Sequence, residues 1–247
     1  LEEEIAALSN TKHAVAVGTG TDALLCALMA LNIGAGDEVI LPSFTFFATA
    51  GCVSRMGARP VFVDIDARTF NLDPQRVRDA STPRTKAIIP VHLFGQCTEM
   101  DEILDIARPR NIAVLEDAAQ AIGATYRGRC AGAMGDLASL SFYPTKNLGG
   151  FGEGGMILSN DERLATLCRQ LRNHGGSQRY VHEHVGGNFR LDTMKAAILS
   201  VKLRRLGEFT AKRRTNAKRY DERLAGLPVL TPLVREHCEH VYHQYSI

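Results

Sequence analysis

Lys146 stands in the run Ser141-Phe142-Tyr143-Pro144-Thr145-Lys146-Asn147-Leu148-Gly149-Gly150. Before it, the apolar stretch Leu137 to Phe142 reads as a strand; after it, Gly149 to Gly155 is too glycine-dense for a regular element. An amine on a strand-exit loop, beside a hydroxyl and permissive backbone, is placed to condense with a carbonyl. Lysines otherwise avoid half-buried sites, because desolvation disfavours the ammonium. From this window alone, a surface lysine snorkelling off a loop is the competing reading. Three other stretches bear on the choice. Ala14-Val15-Ala16-Val17-Gly18-Thr19-Gly20-Thr21-Asp22-Ala23 reads as strand, glycine turn and helix start, where N–H groups and a threonine hydroxyl make an anion site. Ile112 to Gln120 puts Asp117 at a strand exit with Gln120 three residues on; alone, that is an ordinary helix N-cap with its capping-box partner. Pro42-Ser43-Phe44-Thr45-Phe46-Phe47-Ala48-Thr49 places aromatics at another strand exit, where core packing is their ordinary use.

The elements that must position these residues follow from periodicity. Candidate strands are His13–Val17, Glu38–Leu41, Arg59–Val63, Thr85–Pro90, Ile112–Leu115, Leu137–Phe142 and Gly155–Leu158. Helix-period segments lie between them, at Asp22–Leu31, Thr45–Met56, Pro74–Ala80, Glu99–Ala107 and Asp161–Arg172. Alternation of helices with nearly uninterrupted apolar strands predicts an α/β fold with a mostly parallel sheet covered on both faces. Long helices, Asp192–Leu206 and Glu208–Leu224, follow. Residues 1–225 read as one large domain, and 226–247 as the start of a second, smaller one. The chain begins inside a helical pattern and stops in the alternating Val241 to Ile247, read as a strand, as expected for a piece of a longer protein.

Open α/β sheets bind ligands at the C-terminal ends of their strands, where all four stretches fall. Together they supply the parts of a pyridoxal phosphate site: a lysine for covalent attachment, a carboxylate for the pyridine nitrogen, an aromatic for the ring face, and N–H groups and hydroxyls for the phosphate. The letters of Gly18 to Ala23 also satisfy the G-x-G-x-x-A fingerprint of a nicotinamide-binding Rossmann oxidoreductase. That site wants an acid at the end of the second strand, whereas Asp37 and Glu38 stand at its beginning.

Composition excludes little else. Of 247 residues, 45% are hydrophobic and 23% charged, with net charge +2, which gives no electrostatic case for nucleic acid or membrane partners. Basic residues gather between Lys202 and Arg219, but Leu203, Leu206 and Phe209 keep helical spacing there, so a solvated helix face is expected. Six scattered cysteines without a C-x-x-C pair suit buried thiols of a cytoplasmic protein. The histidines at 182, 184, 237, 240 and 243 lack partners at metal-ligand spacing, so no metal is expected. No run of about 18 apolar residues occurs, and no spanning helix is expected.

At these residues the sequence resembles the sugar aminotransferases of fold-type I, the DegT/DnrJ/EryC1/StrS family of pyridoxal 5'-phosphate enzymes. The resemblance runs essentially end to end. It is carried by Gly20-Thr21-Asp22-Ala23-Leu24, Gly36-Asp37-Glu38-Val39-Ile40, Pro42 to Phe46, Pro60 to Asp66, Pro90-Val91-His92-Leu93-Phe94-Gly95-Gln96, Glu116 to Gln120, Ser141 to Gly149, Leu171 to Gly175 and Asn188-x-Arg190-Leu191-Asp192. It implies that Lys146 forms the internal aldimine and acts as general base, that Asp117 pairs with the pyridine nitrogen, that Gln120 lies beside the ring oxygen and that Phe46 stacks on the ring. Gly20, Thr21 and Ser141 match phosphate ligands. Asn188 matches a residue that reaches the phosphate of the neighbouring subunit, implying a homodimer with shared sites, and Arg190 a substrate contact. The implied reaction moves an amino group, by resemblance from glutamate, to a nucleotide-linked keto sugar. A related dehydratase carries histidine at the lysine position, which here is Lys146. A non-catalytic cofactor-binding regulator is the remaining alternative. Two departures stand out: Gly18 occupies a position where serine is common, and family members continue well beyond the point where this chain stops.

Overall fold

The computed structural model describes residues 1–247. Seven strands build the central sheet: β1 His13–Val17, β2 Glu38–Pro42, β3 Arg59–Val63, β4 Thr85–Ile88, β5 Ala113–Asp117, β6 Leu137–Ser141 and β7 Gly155–Ser159. Their order is β1-β7-β6-β5-β4-β2-β3. The pairs β2–β3, β2–β4, β4–β5 and β5–β6 are parallel, and β7 runs antiparallel to β6 and β1. Strands such as Glu38–Pro42 and Gly155–Ser159 are buried along their whole length, as a sheet covered on both faces requires.

Alternate residues of each strand enter different cores. Val15, Val17, Val39, Leu41, Leu115 and Ile157 pack with α2 (Gly20–Ala30), α3 (Phe47–Arg55) and α6 (Glu162–Arg172). Ala14, Ala16, Ile40, Val114 and Leu158 pack on the other face with α1 (Glu2–Ser9), α4 (Pro74–Ala80), α5 (Met100–Ala107) and α7 (Thr193–Leu203). The α/β architecture, the mostly parallel sheet and the two-sided cover are those expected from the sequence. The basic stretch lies on α8 (Leu206–Leu224), which buries only Leu206 and Ala217 and turns its charges to solvent. All six cysteines are unpaired. No group of three or more His, Cys, Asp or Glu side chains is arranged to ligate a metal ion, and no helix is long and apolar enough to cross a membrane.

Two expectations are corrected. No helix starts at Asp117. The chain turns there into a short hairpin, Thr125–Tyr126 against Arg129–Cys130. Nor is Val241 to Ile247 a strand. Its backbone polar groups bond to Gly95 and to the side chains of Asn147 and Arg213 instead of a ladder, and Tyr242, with φ +46°, breaks the extended run. The strand pairing in this region is Cys238–Glu239 on Thr125–Tyr126.

Candidate active site

The C-terminal ends of β1, β2, β5 and β6 open onto one cavity of about 470 Å³. Gly20, Thr21, Phe46, Asp117, Gln120, Ser141 and Lys146 all line it. Four separate stretches of chain thus converge.

Between β1 and α2, the Thr19 hydroxyl accepts the Asp22 N–H at 2.8 Å and caps the helix, leaving the first-turn N–H groups of Gly20 and Thr21 at the cavity. A Cβ at Gly20 would stand 2.8 Å from the Ser141 Cβ, so only glycine lets the helix end and β6 approach this closely. Gly155 plays the same part from β7, where a Cβ would collide with the Thr19 carbonyl.

Asp117 ends β5 and is 5% exposed. Its backbone is clamped on both sides: its N–H donates to the Pro90 carbonyl at 2.9 Å and its carbonyl accepts the His92 N–H at 3.0 Å. Its carboxylate accepts the Thr49 hydroxyl at 2.9 Å and the Ala119 N–H at 3.2 Å. Burial pushes the carboxyl pKa up, against the pull of those two donors and of the Lys146 charge. Half-buried Lys146 is shifted the other way: desolvation lowers its pKa, and the Asp117 charge opposes this.

Gln120 is held by its side-chain oxygen, which accepts the Phe94 N–H at 2.7 Å. Its amide NH2 thus remains as the donor at the cavity wall. Phe46 stands just before α3, in extended conformation and 71% exposed, at the cavity mouth. Asn188 and Arg190 do not reach the cavity. Asn188 is exposed and its backbone bridges Asn173, and the Arg190 guanidinium donates to the Asn173 side chain at 2.7 Å in a separate cleft.

Sequence reasoning missed several neighbours. Thr49, the donor to Asp117, carries no local signature, and its partner is distant in sequence. Thr45, Tyr143, Thr145 and Glu153 also line the cavity. Below Asp117 lies a fully buried support: Glu116 accepts the Gly132, Met134 and Gly135 N–H groups and pairs with the His92 ring at 2.8 Å. Because His92 Nδ1 accepts the Thr98 N–H, Nε2 carries the proton toward Glu116. The loop of Lys146 is clasped from the C-terminal side, with Asn147 donating to the Val241 carbonyl at 2.9 Å and its oxygen 3.2 Å from His243 Nδ1.

The model of the DegT/DnrJ/EryC1/StrS aminotransferase family matches residues 1–247. The chain belongs to that family. Relatives include a "Pleiotropic regulatory protein" of Geobacillus stearothermophilus, 53% identical over all of this chain and 67% of that one. Another is a UDP-2-acetamido-2-deoxy-3-oxo-D-glucuronate aminotransferase of Pseudomonas aeruginosa, 48% identical over all of this chain and 69% of that one. Among solved structures, S. venezuelae DesV in complex with a ketimine intermediate superposes with a TM-score of 0.96 at 46% identity, covering 99% of this chain and 66% of that one. The chain thus spans about two thirds of the length of these family members.

Proposed function

We propose that this chain carries the pyridoxal 5'-phosphate site of an aminotransferase acting on a nucleotide-linked keto sugar, with an amino acid, by resemblance glutamate, as donor. One observation carries the reading: an amine, a buried carboxylate, an amide donor, hydroxyls, a helix N-terminus and an aromatic, drawn from four stretches, line a single cavity. That donor set fits the cofactor part by part, and the glycine contact between Gly20 and Ser141 leaves the helix end open for a phosphate. When bound, the cofactor supplies an electron sink conjugated to the nitrogen of the substrate.

The chain's own residues have these roles. Lys146 Nζ holds the cofactor covalently at rest. Asp117 holds a proton on the ring nitrogen. Gly20 and Thr21 N–H groups, with the Thr21 and Ser141 hydroxyls, hold the phosphate; Phe46 covers one ring face and Gln120 donates beside the ring oxygen. Lys146 Nζ would also be the base that takes the proton from the donor α-carbon. Its lowered pKa favours the free base this requires, and such a base is typically worth ~10²–10⁴ in rate. Asn188 and Arg190, which lie away from this chain's cavity, complete the cavity of a second copy in a homodimer.

The test is reconstitution with pyridoxal phosphate, followed by borohydride and peptide mapping. A visible absorbance band, with the reduced adduct on Lys146, supports the site; a folded protein without either overturns it. Bleaching of the band by glutamate, then its return with a nucleotide-linked keto sugar, supports transamination. The relative described as a regulatory protein gives a second reading some weight. Cofactor uptake with no response to any amino acid would favour it.

A further inference from the structure

The segment that carries Phe46 to the cavity mouth also carries two hydroxyls beneath it. Thr45 lines the cavity, and its Oγ1 is 3.0 Å from Thr49 Oγ1. Thr49, 1% exposed in the first turn of α3, is in turn 2.9 Å from Asp117 Oδ2. Each hydroxyl has a single proton, and an ionised carboxylate can only accept. Thr49 must therefore donate to Asp117 and receive the proton of Thr45, so both O–H dipoles point at the carboxylate. Asp117 Oδ1 is fixed by the Ala119 N–H, and its backbone by Pro90 and His92. Asp117 itself lines the cavity.

We propose that Thr49, oriented by Thr45, is the positioning residue of Asp117: its hydroxyl holds the carboxylate ionised and in one rotamer, so that it retains a proton on the nitrogen of a bound pyridine ring. The inference rests on the cofactor reading above and deepens it. Its physical basis is the balance at a buried acid. Desolvation favours the neutral carboxyl, and a neutral carboxyl cannot stabilise a pyridinium. A charge-directed hydrogen bond opposes that neutralisation and is stronger than one between neutral groups. Losing it moves the shared proton off the ring, although Thr49 touches no cofactor atom in this role.

Thr49→Val keeps the shape and removes the donor, whereas Thr49→Ser keeps the donor. Each protein is loaded with pyridoxal phosphate labelled with 15N in the ring, and both affinity and nitrogen chemical shift are measured. In Thr49→Val the shift should move from the protonated toward the unprotonated range and affinity should fall about tenfold. Thr49→Ser should behave as wild type, and Thr45→Val should move the shift part of the way. Wild-type shift and affinity in Thr49→Val overturn the inference, as does a Thr49→Ser variant that falls equally far, since packing would then be responsible. Wild-type protein that takes up no cofactor overturns the cofactor reading and this inference with it, so the two failures are distinct.

Discussion

At the scale of single residues, Asp117 and Lys146 were legible because one ends a readable apolar strand and the other stands on the loop just after one, each with a residue type that chemistry would choose. Thr49 was not, because a threonine inside a helix-period stretch has no pattern of its own until the fold brings Asp117 to it. Lys146→Ala should leave the fold intact and still bind cofactor non-covalently, while turnover falls by ~10²–10⁴ or more. Peptide mapping and single-turnover kinetics check both halves, and substantial residual transamination would remove the base role from Lys146. Asp117→Asn should also fold. The Asn carbonyl can still accept from Thr49, but its NH2 then faces the Ala119 N–H, a local loss of about 1–3 kcal/mol. A neutral amide cannot hold a proton on a ring nitrogen, so most activity should disappear while the melting temperature shifts by only a few degrees. Wild-type rates in this variant would reduce Asp117 to a structural carboxylate.

At the scale of elements, hydrophobic periodicity located every strand of the sheet to within a few residues, since buried parallel strands write a continuous apolar run. It failed where alternation lacked a sheet edge to pair with. The segment after Val241 alternates like a strand, yet it is fixed by side-chain bonds to Asn147 and Arg213 and by packing on Gly95. That attachment should be acid-sensitive. Burial depresses His240 and His243 from 6.5 to about 4, assisted by Arg214 at His240 and by Lys146 and Arg213 at His243. His240 Nδ1 accepts the Tyr242 N–H, a bond only the neutral ring can make. Because the folded pKa lies below the unfolded one, the stabilisation is fully present above about pH 6.5 and is lost as pH falls through about 4. Protection from hydrogen exchange, taken relative to the intrinsic rate at each pH, should therefore fall across residues 238–245 on acidification before it falls in β5 and β6, and equal loss at both would contradict this.

At the scale of the whole molecule, the fold class followed from the alternation of elements, and the site from its four strand ends. The sequence did not reveal which elements would be neighbours: β1 is separated from β6 by the antiparallel β7, and no local pattern announces that insertion. The arrangement also has a kinetic consequence. The Gly20 helix end and the Lys146 loop come from opposite ends of the sheet-forming sequence, and Gly155 of the last strand shapes the Thr19 turn. No early, local piece of the chain contains the cavity, and closing such long loops is slow. Ligand capture cannot then seed the fold; it is an event that waits for the last strand to seat. In refolding, recovery of far-ultraviolet ellipticity should precede the gain of cofactor absorbance, and pyridoxal phosphate in the refolding buffer should slow later unfolding without hastening sheet formation.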